Sequence, residues 1–254
     1  MSAIGATVRA ALTESVSNRR AFWSQIGVMV VNDLGWMAFW LLFFDRVGEV
    51  RGWDSSRALL LLAVFATSAG LVMGLFSNAR QVGQMAADGQ LDAVLALPVP
   101  PLAYLLVRRV SPVNLGDVLF GLLLFAFSTP DLTDVGIFVV GVAASAALLL
   151  GFLVTTGSLG FFLGRGETGD MGFNAILLLA NYPADFFGGA TKVVLYTVIP
   201  AAFVTAVPAT LLDSFDWGLA AALLAAAATF LAAGWATFTV GLRRYSSGSV
   251  WTRA

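Results

Sequence analysis

Long runs of apolar residues, separated by short charged stretches, set the fold class of this chain. A helix needs about 20 predominantly apolar residues to cross the roughly 30 Å hydrocarbon core of a bilayer. Five runs come near that length, at residues 22–44, 58–77, 113–128, 135–164 and 217–242. The chain is therefore predicted to be an all-α integral membrane protein.

The composition agrees with this fold class and excludes several kinds of binding and catalytic site. Of 254 residues, 59% are hydrophobic and only 11% are charged, against about 25% charged in soluble domains. The net charge of -1 leaves no basic surplus for a nucleic-acid backbone, so no nucleic-acid partner is predicted. The chain has no histidine and no cysteine, which removes common metal ligands, the usual general base and the thiol nucleophile. We expect no metal, cofactor or catalytic residue in this chain.

Residues 171–212 are apolar over too long a stretch for one helix, and several helix breakers interrupt them. Proline kinks a helix, and irregular backbone in a membrane must be buried in protein or line a cavity. We therefore predict a fifth crossing at 172–187 and a re-entrant hairpin at 190–212, which makes six crossings in all. The breakers are Pro183, Gly188, Gly189, Pro200 and Pro208.

The basic residues predict the orientation of the chain. With six crossings, ten arginines fall on the side of the N-terminus and four basic residues on the other side. Short cytoplasmic loops collect positive charge, so both termini are predicted to be cytoplasmic. Residues 1–21 combine three arginines with apolar residues at helical spacing, which predicts an amphipathic helix on the membrane surface. The first group is Arg9, Arg19, Arg20, Arg80, Arg108, Arg109, Arg165, Arg243, Arg244 and Arg253; the second is Arg46, Arg51, Arg57 and Lys192.

The only long hydrophilic stretch is residues 80–109, here named the 80–109 segment, which this orientation places in the cytoplasm. Apolar residues recur in it at helical spacing, Asp88-Gly89 breaks the run, and three prolines from Pro98 onwards end it. The pattern predicts one or two short amphipathic helices against the inner membrane face, suited to receiving a partner.

Three motifs in this order resemble those of one membrane protein family. GQLDAVLALP at 89–98 resembles its "G-E/Q-L-D-x-x-L-x-x-P" signature, with Gln90 where glutamate is frequent. Tyr182-Pro183, followed by VIPAAFV at 198–204 and Pro208-Ala209, resembles its "Y-P … v-i-P-x-a-f-v … P-a" block. LRRYSSG at 242–248 resembles its C-terminal "L-x-x-Y-x-S-x-G" end. The chain is similar to the short, six-helix permeases of type-2 ATP-binding-cassette (ABC) exporters.

The resemblance implies the membrane-spanning subunit of an ATP-driven exporter in a bacterial cytoplasmic membrane. The chain has no G-x-x-x-x-G-K-[ST] loop to bind nucleotide phosphates, so ATP and Mg²⁺ are expected on a separate ABC ATPase present in two copies. A second, related permease is expected as partner, with a heterodimer favoured over a homodimer, in contact with membrane lipid. The implied cargo is hydrophobic or amphiphilic: a drug, an organic cation, a secondary metabolite or a lipid.

Three groups of candidate site residues follow. Asn32 and Asp33 lie mid-way along the first crossing, where a charge costs about 2.5–3.5 kcal/mol, and are assigned to the cargo pathway. The resemblance assigns part of the 80–109 segment to ATPase coupling and part of 182–208 to an outer gate. The coupling residues are Gly89, Gln90, Leu91, Asp92, Leu95 and Pro98, and the gate residues are Tyr182, Pro183, Asp185, Pro200 and Pro208.

Each assignment has a structural alternative. Asp33 would instead bond a neighbouring helix or lie near an interface, as expected for Asp117. The 80–109 segment would only cover lipid headgroups, and the hairpin would only plug the vestibule. Two glycine motifs predict close helix contacts or a dimer seam: Gly70-x-x-x-Gly74 and Gly160-x-x-x-Gly164. Interfacial aromatic belts are predicted for Trp23, Trp53, Trp217 and Trp251.

Two other functions compete with the exporter. An ion-coupled secondary transporter would bind its ion at broken helices near the midplane and usually shows inverted repeats. Here the breaks are concentrated in one hairpin, and Asp33 is the only clear mid-bilayer carboxylate. An intramembrane serine protease without histidine would need a Ser-Lys pair, and the single lysine, Lys192, falls in the hairpin.

Overall fold

The computed structural model describes residues 19–164 and 166–245, which form helices joined by short connections. Within these residues the only extended pairing is an isolated bridge between Val50 and Trp53. Most of the surface helix predicted for 1–21 lies outside the described residues. The helices are α1 (Arg19–Val47), α2 (Ser55–Leu75), α3 (Val82–Ala87), α4 (Leu91–Leu95), α5 (Pro101–Val107), α6 (Leu115–Phe127), α7 (Leu132–Ser158), α8 (Gly160–Leu163), α9 (Thr168–Ala180), α10 (Gly189–Thr197), α11 (Val207–Asp213) and α12 (Trp217–Arg244).

The all-helical prediction is confirmed for the part of the chain that the structure describes. Four helices there are long and apolar enough to cross a membrane: α1, α2, α7 together with α8, and α12. Two more stretches qualify only as bent pairs, α5 with α6 at 72° and α10 with α11 at 70°. Helix α9 is apolar but has only 13 residues, about 20 Å. The protein is a multi-pass membrane protein, and the count of six crossings stays a prediction.

Capping carboxylates explain why two long helices begin three residues earlier than the apolar runs. Asp54 accepts from the backbone N–H of Arg57, so α2 begins at Ser55. Asp131 and Asp134 form a capping box, and α7 therefore begins at Leu132. Charged residues mark the end of an apolar run, but at a helix N-terminus they bind otherwise unpaired backbone N–H groups and belong to the helix.

The predicted breaks in 171–212 are present, although the helix bounds differ. The fifth apolar helix, α9, ends at Ala180 instead of reaching 187, because Pro183 follows and residues 184–186 form a 3-10 turn. Pro200 lies between α10 and a π-helical turn at Ala202–Ala206, where the chain bends. Whether this bent pair is re-entrant or a broken span stays a prediction.

Glycines permit the closest helix packing. A Cβ atom on Gly151 of α7 would collide with the backbone of Phe230 in α12, and these two helices form the most extensive helix pair of the described residues. A Cβ on Gly70 would lie 2.8 Å from the carbonyl oxygen of Asn114, and one on Gly74 2.7 Å from the side chain of Leu115. The Gly70-x-x-x-Gly74 motif is therefore a contact between α2 and the start of α6 within one chain.

The second glycine motif has a different role. Gly160 lies beside Gly83 of α3, because a Cβ on Gly83 would come 3.3 Å from the Gly160 Cα. Gly164 has φ +65° and ends α8 as a left-handed cap, and no described residue of another helix lies within 4 Å of a Cβ placed on it. Only the first glycine of this motif therefore packs against another helix.

The long helices run between two ends of the molecule. The end that contains the 80–109 segment, residues 157–164 and 166–168, and the last turn of α12 is here named the segment end. The end that contains residues 48–54, 181–189 and 213–216 is named the hairpin end. Helix α2, for example, begins beside the hairpin end at Ser55 and reaches the segment end at Leu75.

Candidate functional site

A cavity of about 640 Å³ lies between α1, α2, α6 and α9. Asn32 and Asp33, the two residues assigned to a pathway from the sequence, both line it. The Nδ2 atom of Asn32 donates to Oδ1 of Asp33 at 3.5 Å. Both polar residues lie on the face of α1 that packs toward the neighbouring helices. Most other side chains of α1 are exposed.

The cavity combines charged groups with aromatic walls. Asp117 of α6 also lines it, and its Oδ1 atom is buried without a hydrogen-bond partner among the described residues. Arg80 lines the segment end of the cavity, where its Nε atom lies 3.5 Å from Asp170 and its guanidinium lies 5.1 Å from the ring of Phe173. Because Arg80 already has a carboxylate partner, the carboxylates of Asp33 and Asp117 face the cavity without a matching cation among the described residues that line it. The aromatic walls are Trp36, Phe65, Phe120 and Phe173.

Asp185 organises the hairpin end. Its Oδ1 atom accepts from Lys192 Nζ at 2.7 Å, and its Oδ2 atom accepts from the indole N–H of Trp53 at 3.1 Å. The guanidinium of Arg51 donates to its backbone carbonyl at 2.6 Å. Partial burial on its own would raise the pKa of Asp185, but the hydrogen bonds from Lys192 and Trp53 and the nearby positive charges hold that pKa below its ordinary value.

Arg57 extends this network to α11. Its guanidinium donates to Thr210 Oγ1 at 2.7 Å and to the Gly52 carbonyl at 2.9 Å, and it lies 3.7 Å from the Asp213 carboxylate. The same guanidinium stacks on Trp53, 4.5 Å from the ring centroid. The loop between α1 and α2 is thus bonded both to the turn after α9 and to α11.

The predicted gate residues fall into two places. Tyr182 packs edge-on against Trp36 and Trp40 of α1, at ring-centroid distances of 5.7 and 6.0 Å, and Pro183 and Asp185 follow it in the same turn. Pro200 and Pro208 are buried further along the chain, and Pro208 packs against Gly141 of α7. The structure brings the first three together and leaves the two later prolines as packing and bending positions.

The 80–109 segment has an anchored face and an exposed face. Gly89, at φ +70°, forms the turn between α3 and α4. In α4, Leu91 and Val94 are buried at 1% and 2% exposure, whereas Leu95 and the following Leu97 are 43% and 41% exposed. Leu91 therefore holds the segment to the bundle, and its side chain is not accessible to another protein. Gln90 and Pro98 are exposed at either side of α4.

Comparison with known proteins identifies the family. Residues 30–249 match the family described as "ABC-2 family transporter protein". The chain belongs to this family. No curated protein and no solved structure matched. The match covers all three parts of the candidate site, and it confirms the resemblance that the sequence motifs indicated.

Membership makes the chain a membrane transport subunit, the permease component of an ABC transporter. ABC-2 permeases are not themselves catalytic and normally work with an ATPase subunit. In the described residues of this permease, no group of three or more carboxylates, histidines or cysteines is placed to hold a metal ion.

Sequence reasoning missed several polar residues of the ABC-2 permease. The belt prediction for Trp53 is wrong, because this side chain is fully buried and bonded to Asp185. Arg51 and Arg57 bond partners more than 130 positions away. Asp117, expected near an interface, also lines the cavity. The sequence contains one indication of this buried network. Trp53 lies between two arginines in a short loop, which is unusual for a solvent-exposed loop.

Proposed function

We propose that this ABC-2 permease forms half of the translocation pathway of an ATP-driven exporter. ATP and Mg²⁺ bind to a separate ABC ATPase present in two copies, and a second, related permease completes the pathway. The observation that carries the proposal is the two-faced 80–109 segment in a chain of this family. Its buried face, formed by Leu91 and Val94, fixes it to the bundle, and its exposed leucines offer an apolar surface to a partner.

Closure of the ATPases is expected to move the 80–109 segment and, with it, the helices on which it rests. Helix α3 packs on α7 and α8 through Gly83, so a push on the segment reaches α7 directly. The cavity between α1, α2, α6 and α9 adjoins this end through Arg80 and Ser77. In the proposed cycle the cavity opens to the cytoplasm when the ATPases separate and to the outside when they close.

The hairpin end is the proposed outer gate. Asp185 and Arg57 join the α1–α2 loop to the turn after α9 and to α11 in the state described here. Tyr182 packs on Trp36 and Trp40 of α1, and Trp36 itself lines the cavity. Opening the pathway at this end would require these hydrogen bonds to break, which gives the gate a defined closed state.

The proposed cargo is hydrophobic or amphiphilic. Aromatic walls supply apolar contact area, and the two carboxylates of Asp33 and Asp117 supply polar partners in the same cavity. Only one permease contributes walls here, and α1 leaves most of its apolar surface uncovered. A second permease that packs beside α1 would enclose the cavity, as the heterodimer proposal requires.

The proposed location is a bacterial cytoplasmic membrane, with both termini and the 80–109 segment in the cytoplasm. The excess of arginine on that side supports this orientation, with ten basic residues against four. In this orientation the exposed leucines lie on the cytoplasmic side, where a partner ATPase has access to ATP. The hairpin end then faces the outside.

The decisive experiment is purification of the full chain from its native membrane in mild detergent, with every co-purifying subunit identified and counted. We expect an ABC ATPase in two copies and a second permease. The variant Leu95→Asp with Leu97→Asp is expected to lose the ATPase, because two charges would replace the apolar docking surface. Leu132→Asp is the matched control: this leucine is 88% exposed at the first turn of α7, where a negative charge is tolerated.

Recovery of the unmodified chain alone, stable and without a nucleotide-binding partner, would contradict the exporter and favour an ion-coupled transporter. Retention of the ATPase by the double leucine variant would place the docking surface elsewhere on the permease.

A further inference from the structure

A hydrogen bond joins two sequence motifs that lie 153 positions apart. The hydroxyl of Tyr245 donates to Oδ1 of Asp92 at 2.9 Å. Asp92 belongs to the 89–98 motif in α4, and Tyr245 is the residue that follows α12 in the C-terminal motif. Neither the docking surface nor the cavity accounts for this contact, which links the exposed part of the 80–109 segment to the last long helix.

The tyrosine is held in place by its ring. The ring of Tyr245 packs edge-on against Phe161 of α8 at 6.5 Å between centroids, and Phe161 packs in turn against Phe238 of α12 at 6.0 Å. A Cβ on Gly241 would come 2.5 Å from the Phe161 ring, so the glycine allows α12 to approach α8 closely. The guanidinium of Arg244 lies over Phe162, 5.0 Å from its centroid. The end of α12 is therefore a fixed point from which the hydroxyl extends.

The aspartate lies on a short helix. Helix α4 has five residues and follows the positive-φ turn at Gly89, and its substantial helix contact is with α5. Leu91 and Val94 anchor one face, but Asp92 itself is exposed, on the side where the docking leucines also lie. A hydrogen bond from α12 to this exposed side restricts rotation of α4 about its buried anchor.

We propose that Tyr245 is a positioning residue for ATPase coupling: its hydrogen bond to Asp92 fixes the docking face of α4 and passes the displacement of α4 to α12. The inference rests on the proposed function, because it assigns a second route for the movement that the ATPase imposes. The first route runs from α3 to α7 and α8 through Gly83. The second runs from α4 through the hydroxyl to α12, which packs along α7 at Gly151 and Gly234.

The test is Tyr245→Phe in the full chain, which removes the hydroxyl and keeps the ring contact with Phe161. Because the chain has no cysteine, a single cysteine can be introduced as a reporter without background labelling. The first reporter is Val94→Cys, whose side chain is buried on α4 and can be labelled only when α4 moves. In the purified chain we expect maleimide to label it about threefold to tenfold faster in Tyr245→Phe, as the loss of one ordinary solvent-exposed hydrogen bond implies.

The second reporter measures coupling in the complex with the ATPase. Val28→Cys lines the cavity, and its labelling rate is expected to change when the ATP analogue AMP-PNP closes the ATPases. In Tyr245→Phe we expect this nucleotide-dependent change to fall by about the same factor while the ATPase still co-purifies in the same ratio. Asp92→Asn keeps an acceptor oxygen for the tyrosine and is expected to retain most of the change, whereas Asp92→Ala is expected to lose at least as much of it as Tyr245→Phe.

Tyr104→Phe, a hydroxyl removal in α5 that leaves the 92–245 hydrogen bond intact, is the matched control and is expected to change neither reporter. Wild-type labelling at both reporters in Tyr245→Phe would overturn the proposal, as would loss of the ATPase from the complex, which would make Tyr245 part of the docking surface. If no ATPase accompanies the wild-type chain, the proposed function fails and the coupling role fails with it. Faster Val94→Cys labelling would then still support the hydrogen bond as the restraint on α4.

Discussion

The two ends of this ABC-2 permease are held by different kinds of interaction. At the hairpin end, charged and polar side chains connect three parts of the chain, with Asp185 accepting from Lys192 and Trp53 and with Arg57 bonded to Thr210. At the segment end, buried leucine and valine side chains and a close glycine contact hold the 80–109 segment. Hydrogen bonds have defined partners and break one at a time, whereas packed helices move as a body. Hydrogen bonds that break separately suit the hairpin end, which opens in the proposed cycle. Close helix packing suits the segment end, which transmits the movement of the ATPases.

The largest expected effect is at the packed end. Leu91→Ala should lower the free energy of unfolding by about 2–5 kcal/mol, because it leaves a cavity under α4. Leu95→Ala, on the exposed face of the same helix, should change it by no more than about 0.5 kcal/mol. Thermal or denaturant unfolding of the purified protein in detergent measures both. Equal effects of the two substitutions would show that α4 is not anchored through one face.

The next effect tests the hydrogen-bonded end. Asp185→Ala should destabilise the protein by about 1–3 kcal/mol, because it leaves the buried indole N–H of Trp53 without an acceptor. The pair with Lys192 adds little, since both side chains are more than one-third exposed. The matched control is Asp45→Ala, whose carboxylate is largely exposed and lies 3.9 Å from Arg46, and it should have no measurable effect. If both aspartates behave alike in thermal unfolding, the network does not stabilise the hairpin end.

Acid should weaken the hairpin end. The pKa of Asp185 lies below its ordinary value of 3.8. Its carboxylate therefore stabilises the folded protein above that pH, and this contribution is lost as the pH falls below 3.8 through the lowered pKa. The stability that Asp185 adds, measured in thermal unfolding as the difference between the unmodified protein and Asp185→Ala, should therefore shrink over this pH window. A difference that stays constant down to the lowest pH would assign the acid response to another group.

The smallest effect on stability is expected in the cavity between the two ends. Asp33→Asn removes a charge from mid-membrane and loses no salt bridge among the described residues, so thermal stability should be unchanged or slightly higher. Transport, or hydrolysis stimulated by cargo, should change if Asp33 lines the pathway. The change in transport or hydrolysis is measured with the ATPase complex in proteoliposomes, on a panel of lipophilic cations and neutral dyes. Full retention of activity across the panel would favour a structural role for Asp33.

Local patterns in the sequence accounted for much of the fold. The apolar runs at 58–77 and 217–242 correspond to α2 and α12 within a few residues, because the solvent around a spanning helix is apolar along most of its length. The break near Pro200 was predicted from the residue itself, since proline lacks the backbone donor that a continuous helix requires. The helix starts at Ser55 and Leu132 were missed, because hydropathy does not distinguish a capping carboxylate from a loop residue.

The candidate site was only partly predictable. Asn32 and Asp33 can be identified from the sequence, because polar residues are unusual within an apolar run. In the structure both line the cavity. Asp117 and Arg80 join them only because α6 and the start of the 80–109 segment pack beside α1 and α2. The split between the buried Leu91 and the exposed Leu95 also depends on packing, since both fit the same helical spacing.

The sequence by itself determined that this is an all-helical membrane protein of the ABC-2 family, because apolar length, helix breakers and family motifs are local properties. Only the tertiary structure decided which glycine motif is a helix contact, that Trp53 is buried against Asp185, and that Tyr245 donates to Asp92. Each of these contacts joins residues that are tens to more than a hundred positions apart. Their geometry depends on how neighbouring helices are rotated and spaced, and no local pattern of residues specifies that.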